Sequence, residues 1–186
     1  PGQGQWSAML DGKGHWIADL LLYALPHPEG VPCFGIDLPV ELRQVVLDKF
    51  EMMHFGEQMK WEAQDVTRVL RLTAGATAVP EEFGVTSIEG GWQLQRPDRG
   101  LACVEDVWIG MDPAAVGGQA TAEEGDGMQA IGAAELESLR IQAKRPRWGV
   151  DFDAATTLPN CNEWQRSSIE KGCYAGQEVI AKIHTY

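Results

Sequence analysis

The sequence predicts an α+β fold, and three observations predict it. An aspartate–glycine turn separates two apolar runs near the N-terminus, a helix-spaced apolar stripe follows, and short strand-like runs parted by glycine turns fill the middle of the chain. Strand, strand, helix, strand, strand is the order of a helix layered on an antiparallel sheet. With 186 residues, 44% of them hydrophobic, the chain can form one large domain or two small ones with a proper core.

The first element is a hairpin: Trp6 to Leu10, a turn at Asp11-Gly12-Lys13-Gly14, then His15 to Leu25. Asp-Gly between apolar segments favours it because a primed turn needs positive φ. Pro26 to Gly30 is loop chemistry. A helix then carries Leu38, Leu42, Val45, Val46, Phe50 and Met53 on one stripe, with Pro39 in its first turn. Gln58 to Ala63 and Thr67 to Thr73 read as strands, and the region breaks at Ala74-Gly75-Ala76. Val85 to Ile88, Gly91 to Arg96 and Leu101 to Trp108 form a second, meander-like sheet, with turns at Glu89-Gly90-Gly91 and Pro97 to Gly100. Asp112 to Gly127, rich in glycine, alanine and acids, is a surface loop. A helix spans Ile131 to Ile141, and Val179 to His184 is strand-like.

Composition narrows the function. The net charge is −12 and the basic residues are scattered, which argues against direct binding to a phosphate backbone. Cys33, Cys103, Cys161 and Cys173 are widely spaced, without a zinc-type pair, so they read as reduced thiols, with the cytoplasm as the default compartment. His15, His27, His54 and His184 are dispersed, and no metal site is expected. The longest apolar run, Ile17 to Leu25, holds Asp19 and falls far short of the ~20 residues that span a bilayer. No basic segment and apolar stretch follow Pro1, so no secretory signal is expected, and the N-terminus is expected to be incomplete. Nucleotide-binding glycine motifs are missing from the sequence.

The densest chemistry is Lys171-Gly172-Cys173-Tyr174-Ala175-Gly176-Gln177-Glu178, where a cation, a thiol, a phenol, an amide and a carboxylate surround two glycines. Gly172 and Gly176 would flank a turn that presents Cys173 and Tyr174. This stretch resembles the K-G-C-Y-x-G-Q-E signature of the YgfZ-type folate-binding proteins, relatives of the T-protein (aminomethyltransferase) of the glycine cleavage system. Upstream, Leu139-Arg140-Ile141, Pro146, Gly149 and Asp151 are similar to the superfamily's L-R-I and P-x-x-G-x-D segment. Gly14 to Tyr23 resembles the T-protein strand G-G-x-x-D-D-L-x-V-Y, with Ala18 at the first aspartate and Asp19 at the second. Two departures stand out: Lys144 replaces a glycine, and Pro159-Asn160-Cys161-Asn162 replaces a more acidic segment.

The resemblance implies a GcvT-like folate-binding fold with ferredoxin-like layers of helix on antiparallel sheet. Residues 1–76 would form one half and 77–186 a second half carrying the motif, with the family's small C-terminal β-barrel missing from this chain. It further implies tetrahydrofolate as ligand and a role in iron–sulfur cluster assembly or repair, touching tRNA modification only indirectly. T-proteins carry an apolar residue where Cys173 stands, so the resemblance favours the YgfZ branch. A folate-dependent aminomethyltransferase and a non-enzymatic interaction scaffold are the alternatives.

Each candidate residue has a plainer reading beside it. Lys171, two residues from Cys173, would share its face in a strand and favour the thiolate; a free cysteine is also an ordinary small hydrophobe. Asp19 is a folate-facing carboxylate by resemblance or a polar strand position. Arg140 suits a folate carboxylate or pairs with Glu137 one helical turn away. Gln177 and Glu178 would bond a pterin edge or stand exposed, while Trp16, Tyr23, Trp92, Trp108, Trp148, Trp164 and Tyr174 supply aromatic faces for a pterin or, more simply, core.

Overall fold

The computed structural model describes residues 4–27, 29–64, 66–72, 83–96, 104–109, 129 and 131–185. It is a mixed α and β chain in which two β-sheets accompany three α-helices among the described residues. Strands β1 (Gly4–Leu10), β2 (Trp16–Leu25) and β3 (Cys33–Asp37) form a three-stranded sheet in that order. Strands β4 (Thr67–Leu72), β5 (Gly84–Ile88), β6 (Gly91–Arg96) and β7 (Val104–Ile109) form a four-stranded antiparallel sheet in the order β4-β7-β6-β5. The helices are α1 (Arg43–Met53), α2 (Ala133–Gln142) and α3 (Gln177–Thr185).

The expected hairpin is present, and its turn is held by Asp11, whose carboxylate accepts the Lys13 and His15 amides at 2.8 and 2.9 Å. Backbone bonds reinforce it, Gly14 N–H to the Asp11 carbonyl and Asp11 N–H to the His15 carbonyl. In β2 the buried positions run Trp16, Ala18, Leu20 and then Leu21, Tyr23, Leu25. Alternation holds on both sides of a phase change between Leu20 and Leu21, so each face of the strand contributes to a core.

Two compact units are interleaved along the chain. One gathers 1–4, 23–35 and 64–145; the other gathers 5–22, 36–63 and 146–186. The second unit holds two apolar clusters. Leu10, Trp16, Phe152, Leu158 and Ile180 form the first, and Ala18, Leu20, Leu42 and Val46 the second. Trp16 and Phe152 meet with ring centroids 4.7 Å apart. Truncating a fully buried aliphatic such as Leu158 or Ile180 to alanine would cost about 2–5 kcal/mol.

Several expectations are corrected. The α1 stripe is narrower than its sequence suggests: Leu42 and Val46 are buried and Phe50 packs beside them, but Val45 and Met53 are exposed. Residues 58–63 form no strand, because Trp61 turns back on α1, donating to Glu51 at 2.6 Å and stacking near Phe50 and His54. Residues 179–184 are helix, not strand, and β3 was not foreseen. The 97–100 turn and the 112–127 loop lie outside the described residues.

Helix α2 ends in a Schellman motif: Arg145 N–H reaches the Arg140 carbonyl at 3.1 Å and Lys144 N–H the Ile141 carbonyl at 2.9 Å. Its left-handed residue is Lys144, at φ 54°. Glycine is the residue that adopts this conformation freely, so the lysine sits there under strain.

Candidate functional site

The Lys171–Glu178 stretch is a loop running into the first turn of α3, and its geometry rests on Gly176. This residue sits at φ 80°, and a Cβ there would lie 2.5 Å from the Asp11 carbonyl oxygen and 3.1 Å from Gly14 Cα. The hairpin turn therefore docks against the start of α3. On its other side Gly14, at φ 81°, leaves a Cβ only 3.3 Å from Val179 Cγ1. Glycines at both points let the two backbones touch.

Gln177 closes the loop from inside. Its side-chain oxygen accepts the Tyr174 amide at 3.3 Å, and its amide nitrogen points to the Ile169 and Lys171 carbonyls at 3.5 and 3.4 Å. The Lys171 ammonium lies 4.8 Å from the centre of the Tyr174 ring, a cation–π contact. The Tyr174 ring packs on the Leu10–Ile180 cluster, and burial pushes its phenol up. Glu178 is exposed and pairs with Lys182 at 2.7 Å, which holds its carboxyl below the usual range. Cys173 is exposed. The strand that would have set the Lys171 ammonium beside its sulfur is not formed, and the ammonium addresses Tyr174 instead.

Beside this loop lies a cavity of about 240 Å³ walled by Trp164, Ile169 and Ile180, with Ser167, Ser168 and Glu170 as polar groups and His184 at its edge. The His184 ring meets the Trp164 ring edge-on at 5.6 Å. Ser167 donates to the Trp164 carbonyl at 3.2 Å.

Asp19 lies on β2 and bonds the guanidinium of Arg166, which also donates to Glu163 at 2.8 Å. Arg166 is 5% exposed. Its guanidinium carbon sits 4.7 Å from the Trp6 ring centre and 5.9 Å from that of Trp16. Ala18 faces the other way, fully buried against Leu20, Leu42 and Val46, so a carboxylate in its place would point into an apolar cluster. Nearby, burial raises the Cys161 thiol.

Lys171, Cys173, Tyr174, Gly176, Gln177 and Glu178 thus fall in one loop and helix start, and Asp19 belongs to the same compact unit. Arg140 lies on α2 in the other unit, where it pairs with Glu137 at 2.7 and 3.0 Å and bonds the Arg145 carbonyl. Sequence reasoning missed Arg166. Its partner Asp19 is 147 residues away, and the available local signal was an arginine three residues after Glu163. Among the described residues no group of three or more His, Cys, Asp or Glu side chains is placed to hold a metal, and no helix is long and apolar enough to cross a membrane.

The fold and site define a mixed α/β protein with a glycine-buttressed loop beside a small, half-polar cavity. No family model matches the chain. Over 61 residues it is 34% identical to a chloroplastic protein of Arabidopsis thaliana that bears the name "Putative transferase". The match covers 33% of this chain and 14% of that protein, so the similarity is to one stretch of a transferase-type relative.

Proposed function

We propose that this protein binds tetrahydrofolate in the manner of the YgfZ-type proteins, on a GcvT-like fold, and that it supports iron–sulfur cluster assembly or repair. Any effect on tRNA modification is indirect. The observation that carries the reading is the buttressed loop: Gly176 pressed on the hairpin turn and Gln177 closing the loop leave Cys173 exposed, and the residues just before the loop line the cavity together with Ile180 and His184 of α3. The donor set fits a pterin head group. Trp164, Ile169 and Ile180 offer apolar walls, and Ser167, Ser168 and Glu170 offer the few polar groups that fix a planar ring. At about 240 Å³ the cavity lies below the roughly 300–1,000 Å³ of sites that bury a whole drug-sized ligand, so it suits the ring and leaves the glutamyl tail outside.

The test is a calorimetric titration of tetrahydrofolate into the wild type and Cys173→Ala under reducing conditions. Binding in both is expected, which places the thiol outside the binding energetics and leaves it for chemistry or for an iron–sulfur partner. No heat with a folded wild type refutes folate binding and favours an interaction scaffold.

A second reading, a folate-dependent aminomethyltransferase, is favoured by the name of the Arabidopsis relative. Against it stands Ala18, whose burial in an apolar cluster leaves the first position of the T-protein aspartate pair without a carboxylate. Transfer of a methylene group from a glycine-derived donor to tetrahydrofolate would establish it.

A further inference from the structure

We propose that the C-terminal end of α1 and the loop after it form a docking surface for a cationic amphipathic helix of a partner protein. Met52, Met53, Phe55 and Met59 fall close together along the chain and are all exposed, Phe55 to 87%. A lone exposed apolar residue is ordinary, but a group of large ones marks an interaction surface. Val45, also exposed, stands two helical turns before Met52 on the same face of α1 and extends the patch along the helix.

The loop is held in place by its own bonds. Its far end returns to α1, where the Trp61 indole donates to Glu51 at 2.6 Å and its ring lies 5.3 Å from that of Phe50. Within the loop the Glu57 carboxylate accepts the Phe55 and Gly56 amides at 2.9 and 3.1 Å, and the Glu57 carbonyl meets His54 Nε2 at 2.5 Å. These bonds fix the backbone while the Phe55 ring stays in water, so a partner that covers the ring orders little new chain.

Charge selects the occupant. Over 48–62, Asp48, Glu51, Glu57 and Glu62 outnumber Lys49 and Lys60, Lys60 pairs with Glu62 at 3.7 Å, and the whole chain carries −12. A second copy would bring two acidic rims together, and an anionic membrane would repel the same rim. A helix with an apolar face flanked by lysine or arginine suits both parts of the surface. The methionines adapt to its side chains and the acidic rim answers its charge. None of the residues that line the cavity takes part, so this surface stands whatever the cavity holds.

The experiment titrates the full chain into a fluorescently labelled model peptide of leucine and lysine, patterned as an amphipathic helix, and into its leucine–glutamate counterpart. Melting temperatures are measured on every variant, and sedimentation velocity and flotation with phosphatidylglycerol vesicles on wild type and Phe55→Ser. Wild type should bind the cationic peptide at least tenfold more tightly than the acidic one. The Met52→Gln/Phe55→Ser double variant, whose charge is unchanged, should weaken that binding at least tenfold with its melting temperature kept, and Glu62→Lys should weaken it severalfold. Undiminished binding by the double variant would reduce the effect to net charge and overturn the proposal. So would failure of wild type to bind the cationic peptide, equal affinity for the acidic one, a wild-type dimer that Phe55→Ser dissolves, or vesicle binding that Phe55→Ser abolishes. Where the double variant fails to fold, Met52→Gln and Phe55→Ser singly decide by the same measure.

Discussion

Gly176→Ala is the sharpest structural perturbation available, because two separate penalties meet at that residue. An L-residue at φ 80° is in the left-handed region, which costs roughly 1–2 kcal/mol. Its Cβ would also approach the Asp11 carbonyl oxygen to 2.5 Å, about 0.9 Å inside ordinary contact. The opposing atom is backbone, so no rotamer change relieves the clash; the hairpin turn or the start of α3 must move. Forced overpacking of this kind costs about 1–3 kcal/mol. The sum, about 2–5 kcal/mol, should lower the melting temperature by roughly 4–20 °C in a chain of this size. Gly172→Ala is the matched comparison, since its Cβ would meet nothing within 4 Å and its φ is not positive; it should stay within about 0.5 kcal/mol of wild type. Thermal and urea unfolding of the two variants give the answer. Equal stabilities would refute the contact between the loop and the hairpin turn, and with it the account of how the motif is held.

Two other outcomes follow from single side chains. Lys144→Gly, which replaces a left-handed lysine at the end of α2, should stabilise by up to about 1 kcal/mol, the relief of strain being partly offset by the entropy of glycine; a loss of stability would refute the strain. Tyr174, whose phenol is raised by burial from its ordinary value near 10, holds its proton longer in the folded than in the unfolded chain. Stability from this group is therefore full below pH 10 and lost as pH climbs through the folded value. Above pH 10 the melting temperature of wild type should fall more steeply than that of Tyr174→Phe, and parallel curves would contradict the assignment.

The parts of the fold legible in the sequence were those written in local chemistry. The Asp11–Gly14 turn, the Pro39 helix start and the glycine turn before Gly91 each specify their own backbone, and β1, β2, α1, β5, β6 and β7 follow from them. Helix α3 reads as a strand in the sequence because Val179, Ile180 and Ile183 in so short a run suit either period, and their β-branching favours the wrong one. Its helical state comes from tertiary burial of Ile180 and from the turn that Gly176 permits. Likewise 58–63, which reads as a strand, forms none; Trp61 is satisfied by α1 instead. The candidate site was half legible. The motif announced itself by composition, whereas Arg166 takes its meaning from a carboxylate far away in sequence, and the role of Gly176 depends on a carbonyl that no local pattern mentions.

The Asp19–Arg166 bond, spanning 147 residues, makes the site a late product of folding. Closing a chain loop of that length costs on the order of 4 kcal/mol in entropy, and contacts so remote slow the search for the native state. The N-terminal hairpin leaves the ribosome long before its partners exist, so a nascent chain carries half a site with nothing to complete it. Residues 5–22, 36–63 and 146–186 gather into one compact unit, with 64–145 outside it. A protease nick in that intervening stretch would sever the polymer while leaving the clasp fastened.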